Sequence, residues 1–169
     1  MKPYTIWFTG ISGSGKTTLG SHLSSLMSNI NIPVVFLDGD NMRKGIYKDL
    51  GYTKKDRKEA TIRIAEICRN IMDSGVFVIV CVVSPANSLV KKKIKDIYEI
   101  EVDCPLEVCI KRDVKGLYKK AKAGEIKNLV GYNTAKEKTD ANLVVKTDKA
   151  SVTECMDLLF MELKKEMII

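Results

Sequence analysis

Apolar residues along the chain come in two rhythms. Short apolar runs occur at Tyr4 to Thr9, Pro33 to Leu37, Val76 to Val83, Tyr98 to Val102 and Leu143 to Val145. Val76 to Val83 is β-branched nearly throughout, which predicts a central parallel strand covered on both faces. Between these runs the spacing changes. Ile64, Ile67, Cys68 and Ile71 follow i, i+3, i+4, i+7, and Val152, Cys155, Met156, Leu159, Phe160 and Leu163 do the same near the C-terminus. Strands alternating with helices predict an α/β fold, a five-stranded parallel sheet with helices on both faces. Pro85 is expected to end the central strand. Pro105 is expected to open a helix, where its missing N–H does no harm. Asp113 to Asp140 resists this scheme, being polar, Lys-rich and interrupted by Gly116, Gly124 and Gly131. It predicts a basic lid over about 112–140, part helix and part mobile loop. The 169 residues suit one domain, 1–169, with a real core.

Composition narrows the partners. The longest apolar run falls far short of the ~20 residues that span a bilayer, and the segment before Gly10 does not read as a cleavable signal. No membrane partner and a cytoplasmic location are therefore expected. The five cysteines (Cys68, Cys81, Cys104, Cys109, Cys155) are scattered, with neither a disulfide framework nor zinc-ligand spacing. They read as ordinary core or surface thiols. His22, the only histidine, reads as structural or exposed. The net charge of +7 is densest over Lys111 to Lys127, with a cluster at Lys91 to Lys93. Without an aromatic stacking series it suits a phosphorylated small molecule better than a nucleic acid polymer.

The chemistry is carried by one segment. Gly10-Ile-Ser-Gly-Ser-Gly-Lys-Thr17 matches GxxxxGK[ST] and follows a strand. Its glycines let successive backbone N–H groups face an anion, and the helix opening near Lys16 adds its positive end. Gly10, Ser12, Gly13, Ser14, Gly15, Lys16, Thr17 and Thr18 are the expected nucleotide-phosphate residues. Lys16 would reach the β- and γ-phosphates of ATP, and the Thr17 hydroxyl would ligate Mg²⁺. A mere tight turn is the alternative, but a turn does not require the Lys-Thr pair.

Other features select among P-loop proteins. The Asn-Lys-x-Asp guanine reader of GTPases is absent. Motor-type ATPases hold Mg²⁺ with an acidic residue at the end of a central strand, whereas Val76 to Val83 runs into Ser84-Pro85. The carboxylates follow the second strand instead, as Asp38-Gly-Asp40. That layout fits a P-loop kinase fold for small molecules, with a carboxylate facing the acceptor hydroxyl. Helix capping is the alternative role for Asp38.

Several further segments in order resemble the adenylylsulfate kinase family over nearly the full length. They are Thr9 to Thr18, Leu37-Asp-Gly-Asp-Asn-Met-Arg43, Asp49-Leu-Gly-Tyr52, Asp56-Arg57, Ser84-Pro85, Cys104-Pro-Leu-Glu-Val-Cys109, Arg112-Asp-Val-Lys-Gly-Leu-Tyr-Lys119 and Lys146-Thr-Asp148. The resemblance implies ATP-dependent phosphorylation of a ribose 3′-hydroxyl. It implies Asp40 as the carboxylate that orients or deprotonates that hydroxyl, Asp38 as its neighbour near the metal or the hydroxyl, and Arg43 and Arg57 on the acceptor's anion. An ion pair with Asp56 or Glu59 is the alternative for Arg57. The resemblance also puts Arg112 and Lys115 in a lid that touches ATP, and Thr147 and Asp148 near the ATP base. Tyr52 would serve as one stacking ring. The family is often dimeric, which makes a homodimer an expectation. For Ser84 the sequence leaves an acceptor contact and a simple strand cap both open.

The chain departs from the family on the acceptor side. Ala60 replaces an Asn, Ile62 an Arg, Leu129 the second stacking ring, and Ala86-Asn87 a Tyr-Arg pair. The donor side is intact. This asymmetry leads to a changed acceptor as the favoured expectation: cytidine diphosphoramidate, used in making phosphoramidate-modified capsule sugars. Adenylylsulfate is the alternative acceptor. A non-catalytic P-loop nucleotide-binding protein is the second alternative.

Overall fold

The computed structural model describes residues 2–169. Five strands form one sheet: β1 (Thr5–Thr9), β2 (Val34–Asp38), β3 (Phe77–Cys81), β4 (Ile97–Asp103) and β5 (Leu143–Lys146), in the order β2-β3-β1-β4-β5. Every neighbouring pair is parallel. The chain moves out from β1 to one edge and then to the other. A crevice therefore opens beyond the C-terminal ends of the strands, where the order reverses.

Six helices connect the strands and a seventh follows β5: α1 (Lys16–Asn29), α2 (Gly39–Arg43), α3 (Lys54–Asp73), α4 (Ser88–Lys93), α5 (Leu106–Arg112), α6 (Leu117–Lys122) and α7 (Val152–Lys165). Alternate strand residues point to opposite faces, and this divides the core. Ile6, Phe8, Ile79 and Ile100 pack with Leu19, Leu23 and Met27 of α1 and with Leu159 and Leu163 of α7. Trp7, Val78 and Val80 pack on the other face with Ala60, Ile64 and Cys68 of α3 and Val90 of α4. The expected two-sided cover is present. The central strand is β1 rather than the Val76–Val83 segment, which lies one place toward the β2 edge. That segment also leaves the ladder early, at Cys81. The Val82 amide still donates to Phe8 O (3.0 Å), but the Val83 carbonyl is taken by the Thr9 hydroxyl (2.9 Å). Pro85 consequently sits in the loop beyond the strand. Pro105 is the residue that caps α5.

The lid region contains α6 and a loop pinned to the rest of the protein. Ile11, Cys104, Cys109, Tyr118 and Val130 form a small apolar cluster under it. All five cysteines are free and buried, so none is a surface thiol. Burial pushes the Cys68 thiol up to about 12, which leaves it protonated and unreactive. Among the described residues, no helix is long and apolar enough to cross a membrane.

Candidate active site

The loop between β1 and α1 is shaped by what holds its carbonyls. Gly10 has φ +152° and lies so close to β4 that a Cβ would stand 2.5 Å from Val102 O, which only glycine avoids. Four consecutive carbonyls then meet side-chain donors. Lys16 Nζ donates to Ile11 O (2.8 Å), the Tyr118 hydroxyl to Ser12 O (2.8 Å), Arg112 Nη1 to Gly13 O (3.2 Å) and the Thr147 hydroxyl to Ser14 O (2.6 Å). With its carbonyls tied to the protein, the loop can turn amides toward an anion. Helix α1 begins at Lys16 with no side-chain cap and no acidic residue in its first turn. Its positive end is therefore left for a bound phosphate.

Lys16 is only 9% exposed. Burial pushes its ammonium pKa down to about 8, and the nearby Lys115 cation adds to the effect. The Thr17 hydroxyl donates to Asp38 Oδ2 (2.8 Å), while Asp38 Oδ1 accepts from the amides of Asp40 (3.0 Å) and Asn41 (3.3 Å). Asp38 thus caps α2 with one oxygen and accepts from Thr17 of the phosphate loop with the other. Asp40, one step into α2, pairs with Lys115 reaching over from the lid segment. Arg112 also ties the lid base to β5's end through Thr147 O (2.7 Å).

The same cavity, about 460 Å³, continues from the phosphate loop past Asp38 and Asp40 into a second recess. Arg43 lies there, its guanidinium 4.2 Å from the centre of the Tyr52 ring and 5.3 Å from that of Tyr47. Arg43 also donates to Gly51 O (2.8 Å). Arg57 donates to Tyr52 O (2.7 Å) and forms no ion pair with Asp56 or Glu59; Glu59 is engaged by Arg63 instead (3.0 Å). Ser84 and Leu129 complete the far wall. The Ser84 carbonyl accepts from the Trp7 indole (3.1 Å).

Ser12, Gly13, Gly15, Lys16, Thr17, Thr18, Arg112, Lys115 and Thr147 all line this cavity, as do Asp38, Asp40, Arg43, Tyr52, Arg57, Ser84 and Leu129. Gly10 and Ser14 stand behind it. Gly10 is pressed against Val102 O, and Ser14 is fully buried. Sequence reasoning missed Tyr47 and Thr61. Burial pushes the Tyr47 hydroxyl up to about 12, and it donates to Gly39 O (2.8 Å), bracing the turn that carries Asp40. Thr61 was within reach of the helical rule, because Arg57, Ala60, Thr61 and Ile64 form one i, i+3, i+4, i+7 stripe along the cavity.

Packing separates the five departures from the family pattern. Ile62 lies off that stripe and does not line the cavity. Ala86 is buried in the core against β3 and α4. Asn87 caps α4, accepting from the amides of Leu89 (3.0 Å) and Val90 (3.2 Å). Only Ala60 and Leu129 among the five departures face the cavity.

A phosphate loop on an all-parallel sheet, opening onto a carboxylate and an arginine-bearing recess, defines a P-loop phosphotransferase. Comparison with known proteins narrows this class. The adenylylsulphate kinase family signature matches residues 2–146. The chain is 45% identical to the adenylyl-sulfate kinase of Clostridium kluyveri, over 90% of this chain and 79% of that protein. It is 42% identical to that of Saccharomyces cerevisiae, over 98% and 86% respectively. The Mycobacterium tuberculosis APS kinase in complex with AMPPNP and APS superposes with a TM-score of 0.91 at 33% identity, covering 96% of this chain and 98% of that one. The chain belongs to the adenylylsulphate kinase family. It is an ATP-dependent phosphotransferase acting on a hydroxyl group. These relatives overturn the expectation of cytidine diphosphoramidate as acceptor, and the link to capsule sugars with it. The departures that led there either face away from the cavity or change one side chain of its wall.

Proposed function

We propose that this protein is an adenylyl-sulfate kinase, transferring the γ-phosphoryl group of ATP to the ribose 3′-hydroxyl of adenylyl sulfate. The observation that carries the reading is the continuity of the cavity. The phosphate loop, Asp40, Arg43 and Arg57 all line one cavity. Relatives over most of the chain bear that activity in their names.

In this reading the phosphate loop and Lys16 hold the β- and γ-phosphates. Arg112 and Thr147 shape the donor end, and Lys115 meets the phosphates from the lid. Arg43 and Arg57 grip the acceptor's phosphosulfate, a group their planar forks suit. Tyr52 and Leu129 bound its base, with Ser84 on the wall between. Asp40 accepts the proton of the attacking hydroxyl, or orients it, while the attacking oxygen forms its bond to phosphorus and ADP departs. Transfer of this kind depends on positioning and charge neutralisation more than on covalent help from the protein.

Thr17 and Asp38 present hard oxygens 2.8 Å apart beside the phosphate loop, which suits Mg²⁺. That ion commonly keeps one or two protein ligands beside substrate phosphates and water. When bound it would offset charge on the triphosphate. The chain would act as one kinase unit, residues 1–169, with the lid over about 112–140.

The test is ADP release from ATP with adenylyl sulfate, with AMP, and with no acceptor, each paired with detection of a 3′-phosphorylated product. Rapid release only with adenylyl sulfate is expected. Equal rates with all three, or no phosphorylated product, would refute the assignment.

A further inference from the structure

Among the described residues, Glu99 is the one buried acidic residue of the sheet, 1% exposed on β4. Its backbone is doubly tied to Asn142: the Glu99 amide donates to Asn142 Oδ1 (2.8 Å) and the Asn142 amide to Glu99 O (2.8 Å). Its side chain spans toward the loop after β3, where Oε1 accepts the Ala86 amide (2.8 Å). Oε2 is buried without a hydrogen-bond partner, with Lys91 Nζ 3.4 Å away. Trp7 is the cross-strand partner of Glu99, and its indole reaches the same loop at Ser84 O. With the Thr9 hydroxyl on Val83 O, side chains of β1 and β4 hold the loop at three points. Val83 and Ser84 of that loop line the recess beside Arg43 and Arg57.

An apolar residue at position 99 would fill the space without the cost of burying a charge. It could not hold the Ala86 amide. We infer that Glu99 is a positioning residue for the acceptor: through Ala86, and together with Trp7, it sets the Val83–Ala86 loop against which the acceptor docks. The identity of that acceptor rests on the proposed function. Displacing this wall weakens acceptor binding and leaves the donor end intact, because the phosphate loop is held by separate partners, Tyr118, Arg112 and Thr147.

The experiment compares wild type, Glu99→Leu and Glu99→Gln by steady-state kinetics and by amide hydrogen exchange. Glu99→Leu should raise the KM for adenylyl sulfate about tenfold and leave the KM for ATP within about twofold. Glu99→Gln should recover the acceptor KM, because its amide oxygen still accepts from Ala86. Equal rises in both KM values, no rise at all, or a Gln variant as impaired as the Leu variant would overturn the role. If the Leu variant does not fold, Trp7→Phe removes a second anchor, and an unchanged acceptor KM there would overturn it equally. Wild-type chain inactive on adenylyl sulfate would defeat the proposed function instead. Glu99 is then judged on exchange alone: the Ala86 amide should exchange faster in the Leu variant than in the Gln variant, and equal rates would overturn the inference.

Discussion

ATP affinity should fall as pH rises through 8, and the cause is the burial of Lys16. Desolvation lowers its pKa from 10.5 to about 8 in the ligand-free protein. A phosphate beside the ammonium favours the charged form and raises the pKa again. Binding above pH 8 must therefore take up a proton. With a free-state pKa of about 8, roughly one molecule in eleven carries the charge at pH 9, so affinity should drop about tenfold, near 1.4 kcal/mol. The loss should approach a limit of about 300-fold, or ~3.4 kcal/mol, as pH reaches the ordinary lysine value. Below about pH 7.5 the dependence on this group should vanish. The last ionisation of a phosphate monoester has its midpoint near pH ~6, below this window. The sign for folding is opposite. Between pH 8 and 10.5 the unfolded chain holds the Lys16 proton and the folded chain does not, so this group's contribution to stability rises with pH there. The assay is calorimetric Kd for a non-hydrolysable ATP analogue at fixed ionic strength from pH 7 to 9.5, with proton uptake read from buffers of different ionisation enthalpy. A flat Kd, or the same slope in Lys16→Met, would refute the reasoning.

Three further outcomes test other parts of the site. Asp40→Asn should lower turnover by ~10²–10⁴ while the Kd for the ATP analogue stays within about twofold, since the exposed pair with Lys115 contributes little; near-normal turnover would remove Asp40 from the proton-accepting role. Leu129→Phe restores a ring to the recess wall and should lower the KM for adenylyl sulfate by about tenfold, with the ATP KM unmoved. An unchanged acceptor KM would show that Leu129 does not meet the base. Gly10→Ala drives a Cβ to 2.5 Å from Val102 O and should cost at least ~2 kcal/mol, visible as a lower urea midpoint. An unshifted midpoint would mean that the loop can yield.

Much of the fold was written in local patterns. Apolar runs marked all five strands, and helical spacing marked α3 and α7, because backbone hydrogen bonding and side-chain periodicity act over a few residues. The phosphate loop was legible for the same reason: its glycines and its Lys-Thr pair must be adjacent to work. The long-range hydrogen bonds that hold its carbonyls were not. Tyr118 lies 106 residues from Ser12, and Thr147 lies 133 from Ser14. Nothing local announces such contacts, which exist only once β4, β5 and α5 bring the lid beside β1.

The acceptor was misjudged at this boundary. Five departures from the family pattern looked alike in the sequence, yet packing gives them different meanings. Ile62 is turned off the Arg57–Ala60–Thr61–Ile64 stripe, Ala86 is core, and Asn87 is a helix cap. Local pattern was enough for a nucleotide-phosphate loop at the end of a parallel strand, with two carboxylates at the end of the next one. The tertiary structure alone decided which side chains share its cavity, because the direction of a side chain is set by the elements it packs against and not by its place in the chain.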